Sequence, residues 1–250
     1  MGNSTLVTVN GNDISTPEAV RRDIMHDNEF LKGAIQELLI REYAEENDIH
    51  NTEEELQVAA DEMRYMRGLE SREETLQWLD NTNQTIASVQ NGLDYQILRN
   101  KVRNSIPEDE MRAYFADHKV DFHSVDLYSI RVDSRQVAEE LYAQIAEDGA
   151  SFHELAIEYS TDETTAPAGG YAGRLTRDDV TAEIEAAVFD ADAGDLVGPM
   201  ETEKGWNLFL VKEVHEPSFE DVKDRVQLDM FSDLLAKLEA EADVEYTLFE

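Results

Sequence analysis

One change of period constrains this chain more than any other feature. Up to about residue 120 the apolar residues recur at three and four, strand-like phrases then run from Phe122 to the segment before Pro217, and helical spacing returns afterwards. A small strand-containing unit is therefore inserted into a helical body, and the fold class is α+β.

The helical part is read from its repeats and caps. Leu31, Ala34, Ile35, Leu38, Leu39 and Tyr43 describe one amphipathic helix. Thr52 with Glu55, and Ser71 with Glu74, have the spacing of capping boxes, and the first of these helices ends near Gly68. A longer helix carries Val89, Leu93, Ile97, Leu98 and Val102 and stops before Pro107, and PEDEMRAYFADH adds a short one. After Pro217, Val222, Val226, Met230 and Leu234 stack at four-residue spacing. At the start, Leu6 to Val9 alternates and meets Asn-Gly, a strand and a turn, and Thr16-Pro17-Glu18 opens a helix. The tail DVEYTL alternates too, and since an isolated strand is unstable, Leu6 to Val9 is expected to pair with Val244 to Leu248. The expected domains are residues 1–120 plus 217–250, helical, and residues 121–216, inserted.

Within the insert, VDLYSIRV is a strand, RQVAEELYAQIAEDG a helix ended by Gly149, and SFHELAIEYS a helix capped by Ser151. TDETTAPAGGYAGRL is read as a loop, Thr181 to Phe189 as a helix, and DAGDLVGPMET and KGWNLFLVKEV as strands. In the last strand Asn207 shares a face with Phe209 and Val211. An amide on an apolar face costs stability unless something hydrogen-bonds it.

Charge excludes several functions. The 250 residues hold 21 Lys plus Arg against 56 Asp plus Glu, a net of -35, which repels nucleic acid and anionic membrane surfaces. The acids are spread along the chain, as in a salt-adapted or simply well-solvated protein, although an acidic surface also attracts basic clients. Without cysteine there is no disulfide, thiol catalysis or cysteine metal site. No run is long and apolar enough for a membrane span, and the first residues lack a signal-peptide pattern, so the expected location is cytoplasmic. The histidines at 26, 50, 118, 123, 153 and 215 are scattered and read as solvated, and neither a metal nor a cofactor is expected. GGYAGRL lacks the strand-to-helix context and the Lys-Ser/Thr of a phosphate loop. Met63, Tyr65 and Met66 read as core, with an adaptable client groove as the other reading. Trp206 reads as a packing residue.

Five phrases in order resemble the parvulin-type peptidyl-prolyl isomerases joined to a SurA- or PrsA-like helical chaperone domain. They are VNGNDIS, IPEDEMRAYFADHKVDF, YSIRV, SFHELAIEYSTDETTAPAGGYAGRL and EIEAAVFDADAGDLVGPMETEKGWNLFLV. The signal-less chain looks most similar to SurA-like proteins of the cyanobacterial type. The resemblance implies a helical chaperone domain completed by the C-terminal helix, with an inserted parvulin domain whose small antiparallel sheet is surrounded by helices. It also implies an Xaa-Pro isomerase site with two histidines on adjacent strands and a cysteine or aspartate nearby. Those positions fall on Ser129, Asn207 and Asp162, so both histidines are replaced. The proline cup falls on Ala172, Leu175, Val180 and Ile184, with Phe189 beside them, and Tyr171 stands where an aspartate is usual. The implied function is binding of unfolded or extended proline-containing clients with weak or absent isomerase activity; the alternative is an active isomerase. Escort to an export or peptide-maturation machinery and a homodimer are further implications of the resemblance.

Overall fold

The computed structural model describes residues 5–9, 12–15, 19–20, 23 and 29–244. It divides into two compact units, Met1–Met111 with Asp224–Glu250, and Arg112–Lys223. The protein is mostly helical, with one small four-stranded antiparallel sheet flanked by helices.

The first unit opens with β1 (Thr5–Val9) and β2 (Asn12–Ser15), which pair antiparallel with Val9 opposite Asn12. β1 is thus paired with the next strand in sequence, across Asn10-Gly11; residues 245–250, on which most of the expected tail strand falls, and the expected cap at 16–18 lie outside the described residues. The helices α1 (Glu29–Glu46), α2 (Glu53–Met66), α3 (Arg72–Asn81) and α4 (Ile86–Asn104) follow, α5 (Glu108–Asp117) begins in this unit and continues into the second, and most of α9 (Phe219–Glu241) returns to this unit near the end of the chain.

Three of these helices make the core by a shared device. Ile40 and Ala44 on α1, Leu98 and Val102 on α4, and Phe231 and Leu235 on α9 are each four residues apart, and all six are buried in one cluster. The C-terminal helix therefore completes the helical unit. Arg41 adds a polar tie between α1 and α4, meeting Asp94 at 2.7 Å, and Asn51 donates to the other Asp94 oxygen at 2.7 Å. The two capping boxes form as expected: Thr52 Oγ1 accepts from the Glu55 amide, and Ser71 Oγ from the Glu74 amide. Lys101 on α4 donates to Glu55 at 2.6 Å and to the His50 carbonyl at 2.6 Å, fixing the α2 N-terminus.

The second unit contains β3 (Ser124–Val132), α6 (Arg135–Ala146), α7 (Phe152–Tyr159), β4 (Tyr171–Thr176), α8 (Ala182–Phe189), β5 (Leu196–Thr202) and β6 (Gly205–His215). The strand order is β4-β3-β6-β5. β4 corrects the reading of residues 161–175 as one loop: Tyr171 to Thr176 pairs with β3 as an edge strand, with Gly173 opposite Leu127 at a bulge. Gly173 has φ +105°, a backbone form that the bulge needs and glycine supplies. Inward residues alternate along β3 and β6. Ile130, Val132 and Leu208 pack with Ala138, Leu141, Phe152, Leu155 and Ala156 from α6 and α7, and Trp206 joins that side as a packing residue. Val125, Leu127, Phe209 and Val211 pack on the other side with Val188 of α8.

Candidate functional site

The second face of the sheet gathers the positions of interest. Leu175, Ile184 and Phe189 are partly buried against the Val125, Leu127, Val188, Phe209, Val211 cluster. Arg177 lies over the Phe189 ring, 4.7 Å from its centroid. Ala172 and Val180 are half-buried and stand outside that cluster. Leu175, Ile184 and Phe189 thus form one apolar wall, while the other two expected cup residues flank it in sequence.

Ser129 and Asn207 are the buried polar residues among those described, 9% and 7% exposed. On this face Ser129 is opposite Phe209, and Arg131 is opposite Asn207, so the serine and the asparagine are diagonal neighbours. They do not bond to each other as a cross-strand bridge. Asn207 Nδ2 instead donates to Thr202 Oγ1 at 2.9 Å and to the Gly205 carbonyl at 3.1 Å, which satisfies the amide within the β5–β6 hairpin. A side chain that short reaches its own turn more easily than a diagonal partner on β3.

Asp162 reaches the same face from the loop before β4. Its Oδ2 pairs with Arg131 Nη2 at 3.2 Å, with both side chains 21% exposed, and its Oδ1 accepts the Thr164 amide at 3.0 Å. The backbone positions this loop. Beyond Tyr128, β3 has no β4 partner, and its edge is satisfied by other groups. The Ser129 amide donates to the Gly170 carbonyl, the Arg131 amide to Ser160 Oγ, and the Thr161 amide to the Arg131 carbonyl, at 2.8, 3.2 and 2.7 Å. Gly170 is required there, since its φ is +89° and a Cβ would sit 2.7 Å from the Ser129 carbonyl oxygen.

Asp162, Ser129 and Asn207 therefore share one end of one sheet face, and Arg131 joins them between the aspartate and the asparagine. Sequence reading passed over Arg131. Its signal was present, because an arginine that alternates in phase with Leu127 and Ser129 must find a carboxylate or hydrogen-bond partner to enter a half-buried face. Chemically this set offers one hydroxyl, one amide committed to its hairpin and one ion pair. None of these groups is an imidazole or a thiol.

His118 and His215 are partly buried rather than the solvated groups expected, while His153 is exposed as expected. His153 stacks edge-on to Tyr128, with ring centroids 4.6 Å apart, on the face away from Ser129. His118 stacks on Tyr114 at 4.1 Å, and His215 Nε2 lies 3.0 Å from Asp126 Oδ2. The His118 contact is local, to the Tyr114 carbonyl one helical turn back, whereas His153 at the Gly169 carbonyl and His215 at Asp126 meet partners that only the fold brings near.

The helical unit has its own candidate surface. α2 buries no residue, and Tyr65 and Met66 at its end are 82% and 80% exposed, which corrects their reading as core. Beside them a cavity of about 310 Å³ opens between α2, α3 and α4, lined by Met63, Leu76, Trp78, Ile86, Val89 and Leu93 among others. Arg67 lies over the Trp78 ring at 5.0 Å. Among the described residues no helix is long and apolar enough to cross a membrane.

Comparison with known proteins agrees with this geometry. Residues 129–213 match the family model described as the PPIC-type PPIASE domain, or rotamase. A foldase protein PrsA from Halalkalibacterium halodurans is 27% identical over 253 aligned positions, covering 93% of this chain and 74% of that protein. A PrsA from Oceanobacillus iheyensis is 36% identical over 92 positions, covering 35% of this chain and 31% of its own length, so that match is confined to part of both proteins. Among solved structures, PrsA from Bacillus cereus covers 98% of this chain with a TM-score of 0.58 at 16% identity. PrsA from Bacillus anthracis covers 87% with a TM-score of 0.53 at 18% identity, and both likenesses concern the fold. The similarity is to foldases of the PrsA and SurA kind, without resolving a cyanobacterial subtype. Residues 129–213 are a parvulin, or PPIC-type PPIase, domain homologous to that of the PrsA and SurA foldases, set within a helical chaperone fold.

Proposed function

We propose that this protein is a chaperone that binds unfolded or extended proline-containing segments, with a parvulin domain whose isomerase activity is weak or absent. In this reading residues 121–216 are the parvulin domain, and residues 1–120 with 217–250 are the chaperone body. The observation that carries it is the state of the polar floor. Where the family resemblance expects two histidines, Ser129 and Asn207 stand buried, and the Asn207 amide is already committed to Thr202 and Gly205.

Isomerisation must lower a barrier of roughly 18–20 kcal/mol for an ordinary amide, by favouring the twisted peptide over either planar form. A preorganised donor aimed at the rotating carbonyl is the usual means. Asn207 points its donors into its own hairpin, and the Arg131 guanidinium is paired with Asp162, so neither is free to follow a substrate carbonyl. Apolar surface for a client is nevertheless on offer in the helical unit, at Tyr65, Met66 and the α2–α3–α4 cavity. The names of the relatives, foldase and chaperone, support the same direction.

A second reading, an active isomerase, is favoured by one feature: Arg131 keeps a charged donor on the site face beside Asp162. The test is the Ser129→His, Asn207→His double variant in an Xaa-Pro isomerisation assay, together with suppression of aggregation of an unrelated unfolded protein. The chaperone reading expects the wild type to suppress aggregation and the double variant to gain isomerase rate. An active wild type with no gain in the variant supports the isomerase instead. Delivery to an export or maturation machinery and self-association remain extensions of the proposal.

A further inference from the structure

A second constellation lies at the opposite end of β3 and β6, away from Ser129 and Asn207. Asp126 on β3 stands directly opposite Glu213 on β6, and opposite Arg174 on β4. Two carboxylates facing each other across a ladder repel, a repulsion that Arg174 offsets in part by pairing with Asp126 at 3.2 Å. His215, two residues on from Glu213 and therefore on its side of the strand, lies beside both acids. Its Nε2 lies 3.0 Å from Asp126 Oδ2, and its Nδ1 lies 3.8 Å from Glu213 Oε1.

We propose that Asp126, Glu213 and His215 form a site for a divalent transition metal of the zinc class. One ligand atom from each of the three lies within 4.8 Å of the others; since an ion binds one ring nitrogen of His215, the exposed Glu213 side chain turns towards Nε2, where Asp126 already lies, to close ligands about 2 Å from a common ion. One imidazole and two carboxylates are a zinc-type donor set with a fourth position left for water, whereas calcium and magnesium favour oxygen ligands throughout. Arg174 is placed to support the site. Its Nε meets Asp126 Oδ1 at 3.2 Å, and its nearest contact to Oδ2 is longer, 3.5 Å from Nη2, so one oxygen is anchored while the other faces His215. The backbone fixes the rest, because Asp126 and Glu213 are held in register by the sheet rather than by loops. His215 and Asp126 are both partly buried, with side chains 22% and 17% exposed, while Glu213 at 63% leaves the entry side open to solvent. A metal here would tie β3 to β6 where β6 leaves the sheet.

The experiment is titration of the full chain with Zn²⁺ by calorimetry, and with Co²⁺ by visible absorption, in 150 mM or higher salt with excess Mg²⁺ present. That background saturates diffuse binding to a surface of net charge -35. The expected result is one saturable site that excess Mg²⁺ does not displace. His215→Ala should weaken it by about tenfold or more, and Glu213→Gln, at an exposed position that does not threaten folding, should weaken it as well. Binding that survives His215→Ala unchanged, or that disappears under Mg²⁺, overturns the proposal. The readout is independent of isomerase and chaperone activity, so failure of the metal site and failure of the proposed function are separable.

Discussion

The sheet face around Asn207 and the α2–α3–α4 surface of the helical unit treat their side chains in opposite ways. On the sheet face the amide and the charged groups are each occupied by a neighbour: Asn207 by Thr202 and Gly205, Arg131 by Asp162, and Asp162 also by the Thr164 amide. On the helical surface part of the apolar surface is left open, with no α2 residue fully buried and Tyr65 and Met66 standing in solvent. A face whose polar groups are paired is stable and chemically quiet. An apolar surface left open costs solubility unless it serves binding. The difference places retained structure in the parvulin sheet and available binding area in the helices.

The largest expected effect contrasts the helical core with that open surface. Leu98→Ala, in the cluster shared by α1, α4 and α9, should destabilise the helical unit by about 2–5 kcal/mol in denaturant melts. A loss below about 1 kcal/mol would mean that the three helices do not share a tight core. Next comes the ion pair. Asp162→Ala leaves the Arg131 guanidinium partly buried and unpaired, with an expected cost of about 1–3 kcal/mol that Asp162→Asn recovers in part. If the alanine variant melts like wild type, the sheet face is looser than its hydrogen bonds indicate.

The double variant Tyr65→Ser, Met66→Ser sharpens the comparison from the other side. It should change stability by no more than about 0.5 kcal/mol, because both residues are exposed, yet reduce suppression of client aggregation. Unchanged suppression would move the client surface elsewhere. The smallest effect concerns pH. The Lys101 ammonium, and then the Thr52 amide, hold the Glu55 carboxyl down at about 2 from an ordinary 4.5. A depressed carboxyl stabilises the fold above its unfolded value and loses that contribution as pH falls from about 4.5 towards 2. The difference in melting temperature between wild type and Glu55→Gln should therefore be small, fully present at pH 6, and vanish towards pH 2. A difference that persists at pH 2 would assign it to packing rather than to charge.

What could be read in advance follows the range of the interactions. The capping boxes at Thr52 and Ser71 were legible because the partners are three residues apart. The core stripe of α4 was legible, because Leu98 and Val102 stand in its helical period, whereas that of α1 was displaced: its buried residues are Ile40 and Ala44, and Leu38 of the expected stripe is 62% exposed. β4 was hidden, since Tyr-Ala-Gly-Arg-Leu-Thr has little strand character of its own and is a strand only because β3 offers it an edge. The positions of Ser129, Asn207 and Asp162 were available from resemblance, but their bonding was not. The Arg131 to Asp162 pair and the His215 to Asp126 contact join residues far apart in sequence, and only the folded sheet brings them together.

The measurement closest to the central claim is the rate of cis-trans exchange of Xaa-Pro peptides with the wild-type protein, run beside an active parvulin and with the residue before proline varied. The account predicts a rate at or near the uncatalysed background from a folded protein that still suppresses client aggregation. Turnover comparable to the active parvulin would contradict it, and would make Arg131 and Asp162 the first residues to mutate.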